Sequence, residues 1–164
     1  MSSITYPTPG RTLSYRSPLS LLLATDGSTS LTILRIALGL AMLPHGLQKT
    51  FGWFGGYGFE GTMTGFIGMG IPAVLAFLAI AAESAGALAL IAGFTTRVAA
   101  FGMLSVMTVA AFMHRANGFF MNWSGAQAGE GFEFHILAIA MALALIIGGG
   151  GRFSADRAIA RRME

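Results

Sequence analysis

The sequence predicts an all-α protein: an integral membrane four-helix bundle with short interfacial segments in the 51–70 loop and at the C-terminal tail. Three observations predict it. Of the 164 residues, 54% are hydrophobic and only 10% are charged, against ~25% charged in an ordinary soluble domain. The mean hydropathy is +0.69. Apolar runs at about 29–50, 72–93, 98–114 and 132–148 approach the ~20 residues that cross a bilayer as a helix. The chain therefore divides into a polar tail (1–28), a four-span domain (29–151) and a basic tail (152–164).

The polar lead-in carries Pro7, Pro9, Gly10 and Pro18. It has too few basic residues at its start, and its apolar stretch comes too late, for an ordinary signal peptide. The run Leu19–Ala24 suits the membrane surface. Asp26, Ser28, Thr29 and Ser30 then supply helix-start side chains. The first span, with the stretch LTILRIALGLAMLPHGLQK, organises the chain because Arg35, His45 and Lys49 stand in it. A charge at mid-bilayer costs about 2.5–3.5 kcal/mol, so other groups must answer these. At ~100° per residue, Arg35, Leu38, Gly39, Met42, His45, Gly46 and Lys49 share one side. A side that mixes polar and small residues faces protein rather than lipid, and Pro44 marks a site for a kink beside His45.

Residues 51–70 are too glycine-broken to span. Trp53, Phe54, Tyr57 and Phe59 suit an interfacial belt, with a short surface helix near Gly61–Ile67. The second span starts at Pro72 and places Glu83 near its middle, with Ala76, Ala79, Gly86 and Ala87 beside it as small residues that permit close helix approach. A tight turn at Gly93–Arg97 leads to the third span, where Met103, Met107, Ala110 and His114 share a face. A polar and aromatic loop, 115–131, precedes the fourth span, which has Glu133 and His135 in its first turn. The run Gly148–Gly151 ends that span, and Ser154 is placed to cap a short amphipathic tail helix.

Four spans put both termini on one side. Arg11, Arg16, Arg97, Arg152, Arg157, Arg161 and Arg162 fall in the tails and the second turn, whereas only Lys49 and Arg115 flank the long loops. The positive-inside rule then places the termini in the cytoplasm. Ten Lys/Arg against seven Asp/Glu give a net charge of +3. Their spread along the chain suits topology and lipid contact rather than nucleic acid. Cysteine is absent, which excludes disulfides, thiolate chemistry, iron–sulfur ligation and covalent c-type haem attachment.

Counting ~1.5 Å per residue from the outer helix ends puts Arg35 ~22 Å down and Glu83 ~17 Å down. An Arg35–Glu83 ion pair inside the bundle is the expectation. His45, His114 and His135 all fall toward the outer ends of their spans, with Lys49, Glu60, Glu130 and Glu133 at similar depth. A metal, a haem or a quinone headgroup is the chemistry such a set would serve, although no two histidines have helical i, i+4 spacing and no local metal motif exists. The segment GWFGGYG lacks the Gly-Lys-Ser/Thr ending of a phosphate loop. The methionines read as core filler.

The series RIALGLAMLPHGLQKTFG, AAESAGALALIAGFTTRVAA, FMHRANGFF and GEGFEFHILAIAMALALIIGGGGRFSADR resembles the DoxX family over about Leu31–Arg157. The resemblance rests on His45, Gly46 and Lys49, on Glu83 in mid-span, on Gly93, Thr96 and Arg97, and on the ending Gly150, Gly151, Ser154 and Asp156. It implies a four-helix bacterial inner-membrane protein. It also implies a link to redox or oxidative-stress systems, since the family takes its name from a subunit of a thiosulfate:quinone oxidoreductase.

The leading expectation is a subunit or accessory of a membrane redox system, not catalytic alone. It would bind a quinone or similar small ligand, with haem ranked lower, through Arg35, His45, Lys49, Glu83, His114 and His135, and would associate with other membrane subunits or with itself. A non-catalytic scaffold is the alternative. A small-solute transporter ranks last, because no inverted repeat is visible.

Overall fold

The computed structural model describes residues 18–163, so most of the expected N-terminal tail, with Arg11 and Arg16, lies outside the described residues. Among the described residues the chain is helical, with no strand. In order come α1 (Pro18–Leu23), α2 (Thr29–Phe51), α3 (Gly58–Gly68), α4 (Ala73–Ala92), α5 (Thr96–His114), α6 (Glu133–Gly148) and α7 (Ala155–Ala160). Single 3-10 turns at Trp53–Gly55 and Arg115–Asn117 lie in the two long loops.

Three helices, α2, α4 and α5, are long and apolar enough to cross a membrane. The fourth, α6, has 16 residues and spans about 24 Å, short of the ~30 Å hydrocarbon core. It is nonetheless a full member of the bundle and packs along α5 and α2. Leu38, Met42, Leu90, Met103, Met107 and Leu145 form the core between them. Ile33, Leu40, Phe77, Phe101, Leu137 and Ile147 are exposed on the outside, the arrangement a lipid solvent requires. This is a membrane protein built as a helical bundle.

The end of each helix has a local cause. Ser28 caps α2 by accepting a hydrogen bond from the Leu31 amide. The helix continues through Pro44 and stops at Gly52, whose φ of 73° suits a residue without Cβ. Gly93 ends α4 in the left-handed region, with Phe94 N–H bonded to the Ala89 carbonyl and Gly93 N–H to the Leu90 carbonyl, the paired bonds of a Schellman closure. Ser154 caps α7 through the Arg157 amide, as expected. The third span starts two residues earlier than its apolar run, at Thr96.

The close contact of α2 and α4 is set by glycines of α2. A Cβ on Gly39 would stand 2.9 Å from the Ala87 carbonyl oxygen, and one on Gly46 would run into the backbone of Glu83 and Ser84. Gly86 of α4, expected to make this approach, has only the Ala81 carbonyl oxygen within 4 Å, at 3.7 Å. The register places Gly46 level with Glu83 and Arg35 level with Leu90 and Ile91.

That register overturns the expected Arg35–Glu83 pair. Arg35 lies roughly 16 Å along α2 from Gly46, so Glu83 is out of reach. Depth counting treats the two outer helix ends as level, whereas α4 begins beyond the end of α2. Arg35 instead serves the tail end of the bundle, where it is 1% exposed. Its Nη1 donates to the carbonyls of Leu90 and Ile91 at the C-terminus of α4. Its Nε donates to the Gly150 carbonyl at 3.0 Å and its Nη2 to the Phe153 carbonyl at 2.8 Å. A cation at a helix C-terminus is favoured by the helix dipole as well as by the free carbonyls.

The next helix start is closed with the opposite sign. Asp156, also 1% exposed, accepts from Thr95 N–H at 2.6 Å and Thr96 N–H at 2.8 Å at the N-terminus of α5. Arg97 repeats the cationic closure on α6, donating to the Ile146 carbonyl and, at 3.0 Å through Nη2, to the Ala24 carbonyl. Residues 152–160 are therefore docked onto the bundle rather than hanging from it. Both described tails meet at this end, tied by bonds from Asp26 N–H to the Gly148 carbonyl and from Arg152 N–H to the Ser28 carbonyl.

Candidate functional site

The opposite, loop-bearing end collects the remaining polar groups. Lys49 and Glu83 form an ion pair between α2 and α4, with side chains 22% and 6% exposed. Gly46 makes the pair possible: its missing side chain brings the two backbones together one turn before Lys49. Glu83 is thus answered by Lys49 rather than by the expected Arg35, because Lys49, which the pattern places at the outer edge of its span, lies level with the middle of α4.

Beyond the pair lies a cavity of about 350 Å³, inside the range of small-ligand sites. Gln48 and Lys49 of α2 border it on one side; Tyr57 and Thr62 add two hydroxyl-bearing side chains. Phe66 and Met69 give it an apolar wall. The rest of the lining is glycine: Gly55, Gly56, Gly61 and Gly65. The segment read as an interfacial aromatic belt thus folds back over α2 and α4. Two local features drive it back. Gly52, Phe54, Gly55 and Gly58 all take positive φ, and a Cβ on Gly56 would overlap the Gln48 backbone. Gln48 Nε2 also donates to the Phe54 carbonyl at 3.2 Å. Hydropathy carries no trace of such a fold-back; the signal that did exist was the density of glycine.

The histidines make a separate cluster across α5 and α6. His114 and His135 stack with ring centroids 5.1 Å apart and planes at 27°. Phe134 bridges outward, 6.0 Å from His135 and 6.5 Å from His45. His135 is buried, while His45 is exposed, so His45 stands at the edge of its helix face rather than inside it. His114 Nδ1 faces the Glu130 carbonyl at 3.2 Å. Nδ1 of His135 is buried without a hydrogen bond.

Glu130 and Glu133 are engaged in the loop, accepting from the amides of Asn122 at 2.8 Å and Met121 at 3.3 Å. Among the described residues no group of three or more histidines and acids converges as a metal site would require.

Of the six expected site residues, then, Lys49 and Glu83 come together beside the cavity. His114 and His135 form a neighbouring pair at the same end, with His45 at its margin. Arg35 belongs to the other end of the molecule.

No curated protein and no solved structure matches this chain. The family model for DoxX matches residues 30–116, which takes in α2, the folded-back loop with α3, the Lys49–Glu83 pair, α4 and α5. The match covers more than half of the sequence, and the chain belongs to the DoxX family.

Proposed function

We propose that this DoxX-family membrane protein is an accessory or subunit of a membrane redox system and binds a quinone or similar small ligand at its loop-bearing end. The observation that carries the reading is the cavity bordered by Lys49, whose charge is held in place by Glu83. A buried ion pair is weak evidence for stability. One set beside a ligand-sized cavity in a membrane bundle is better read as part of a site. Lys49 Nζ is a donor to an acceptor group entering the cavity, and Phe66 and Met69 supply apolar contact for the body of the ligand. Electrons would come from a partner, since the chain has no cysteine and no converging metal ligands among its described residues.

The reading extends to placement. Arg97, Arg152, Arg157, Arg161 and Arg162 belong to the tail end of the bundle, and Lys49 and Arg115 to the loop end. This asymmetry supports cytoplasmic termini in a bacterial inner membrane, with the cavity toward the outer face.

The test is extraction and mass spectrometry of protein purified in mild detergent, with absorbance recorded on the same sample. A quinone should co-purify, and Glu83→Gln should reduce the amount retained. If no quinone or haem is retained and Glu83→Gln leaves every redox phenotype of the host intact, the proposal is wrong.

A further inference from the structure

The arginines at the tail end divide by what they touch. Arg35 and Arg97 are engaged inside the bundle by backbone carbonyls. Arg157 lays its guanidinium against the backbone between α1 and α2, where a Cβ on Gly27 would stand 2.9 Å from Nη1. Arg152, Arg161 and Arg162 are exposed, and Arg152 rests over the ring of Phe153, 5.5 Å from its centroid. Among the described residues no carboxylate pairs with Arg152, Arg157, Arg161 or Arg162. Asp156 is turned inward, with both oxygens on the Thr95 and Thr96 amides, which leaves Asp26 as the exposed carboxylate of this end. The loop end differs: Arg115 donates to the Phe112 carbonyl at 2.6 Å and lies over the Phe112 ring.

The same surface is apolar between its charges. α1 packs against α7, with Leu23 turned inward and Leu19, Leu21 and Leu22 exposed. Phe153, Ile159 and Met163 are exposed from the other segment. Leucines and arginines side by side on two short helices suit a membrane surface, where apolar side chains enter the headgroup–acyl boundary and basic ones stay level with the phosphates. A zwitterionic headgroup brings its own cation and so offers these guanidinium groups no net counter-charge. An anionic phosphodiester does, and its oxygens match the guanidinium fork. Counting arginines on each side of a bilayer orients the chain but does not say what they hold afterwards: Arg97 adds to that count yet is closed within the bundle.

We infer that α1, α7 and the arginines of 152–162 form a docking surface for anionic phospholipid headgroups in the leaflet at the tail end. The surface is separate from the loop-end cavity, and the inference does not depend on any ligand there. The full-length protein in mild detergent is mixed with dioleoylphosphatidylglycerol or dioleoylphosphatidylcholine, which share their acyl chains, and its thermal midpoint is recorded. Phosphatidylglycerol should raise the midpoint by about 5 °C or more above phosphatidylcholine. Salt at ~0.5 M should remove most of that difference.

Arg152→Gln, Arg161→Gln and Arg162→Gln combined should lose most of the phosphatidylglycerol effect. Leu19→Ser with Leu22→Ser should weaken it, and Arg115→Gln, at the loop end, should leave it unchanged. Circular dichroism verifies that each variant is folded; if the triple variant is not, Arg161→Gln with Arg162→Gln carries the test and should lose about half of the effect. Equal midpoints with the two lipids overturn the inference, as does a full effect in the folded arginine variants or an equal loss in Arg115→Gln. Inorganic phosphate that stabilises as well as the lipid would mark a simple anion site, and soluble poly-glutamate that does so would mark an acidic protein as the occupant; either result also overturns it.

Discussion

Lys49 on α2 and Glu83 on α4 are joined as an ion pair one turn beyond the point where Gly46 lets the two helix backbones touch. Glu83 is the more deeply buried partner, so removing Lys49 leaves a carboxylate without its cation in a poorly solvated place. Lys49→Met should destabilise the protein by about 2–4 kcal/mol, and Lys49→Met combined with Glu83→Gln by clearly less than the sum of the single changes. Thermal unfolding in detergent reads this; additive losses would show that the pair is not coupled.

Arg35 holds four carbonyls and no carboxylate. Arg35→Met should lower stability by about 3 kcal/mol, because buried carbonyls at the end of α4 lose a charged donor. A double-mutant cycle between Arg35 and Glu83 should give less than about 0.5 kcal/mol of coupling. A larger value would mean that the two groups communicate after all.

Asp156 caps α5 from sixty positions away in the chain. Asp156→Ala should cost about 1–3 kcal/mol, the loss of a cap and of two charge-assisted bonds. Proteolysis should then cut near Thr95 faster than in the unmodified protein. An unchanged cutting rate and an unchanged thermal midpoint would rule out the capping role.

Gly46 and Gly86 face opposite tests. Gly46→Ala should destabilise by about 1–3 kcal/mol because its Cβ meets the α4 backbone. Gly86→Ala has ordinary room and should be neutral or stabilising by up to about 1 kcal/mol. Comparing the two thermal midpoints checks the helix register directly.

His135 packs between His114 and Phe134 with one buried nitrogen unbonded. His135→Phe keeps the ring and removes that nitrogen, so stability should be unchanged or raised by up to about 1 kcal/mol. A marked loss of stability would show that the nitrogen has a partner in the working protein.

The helices were legible because each apolar run is bounded by residues with a local meaning: Ser28 before α2, Gly52 after it, Pro72 before α4 and Gly93 after it. What failed was height. Arg35 and Glu83 had to be placed by counting from helix ends, and nothing in a one-dimensional pattern says that α4 starts above α2. His45 failed for a related reason, since an angular sector does not reveal which of its edges a neighbour covers. The cavity was illegible because it depends on 52–58 turning back through successive positive φ angles. That turn leaves the aromatic residues looking like an ordinary interfacial belt. The motif residues were visible, but their use was not: Gly93 and Gly150 meet Arg35, Ser154 packs against Gly93, and Asp156 closes the Thr95–Thr96 turn, so two separate segments, 93–96 and 150–156, converge at that end.

The closure of α5 by Asp156 also bears on how the molecule is made. Threading into a bilayer proceeds from the N-terminus, so α2, α4 and α5 leave the ribosome before the carboxylate that caps the α4–α5 turn has been synthesised. Arg35 waits as well, since Gly150 and Phe153 supply two of its acceptors. The segment that follows α6 is thus the latch of the bundle, and a chain cut just before residue 150 would hold the four bundle helices, α2, α4, α5 and α6, around an arginine with half of its partners missing.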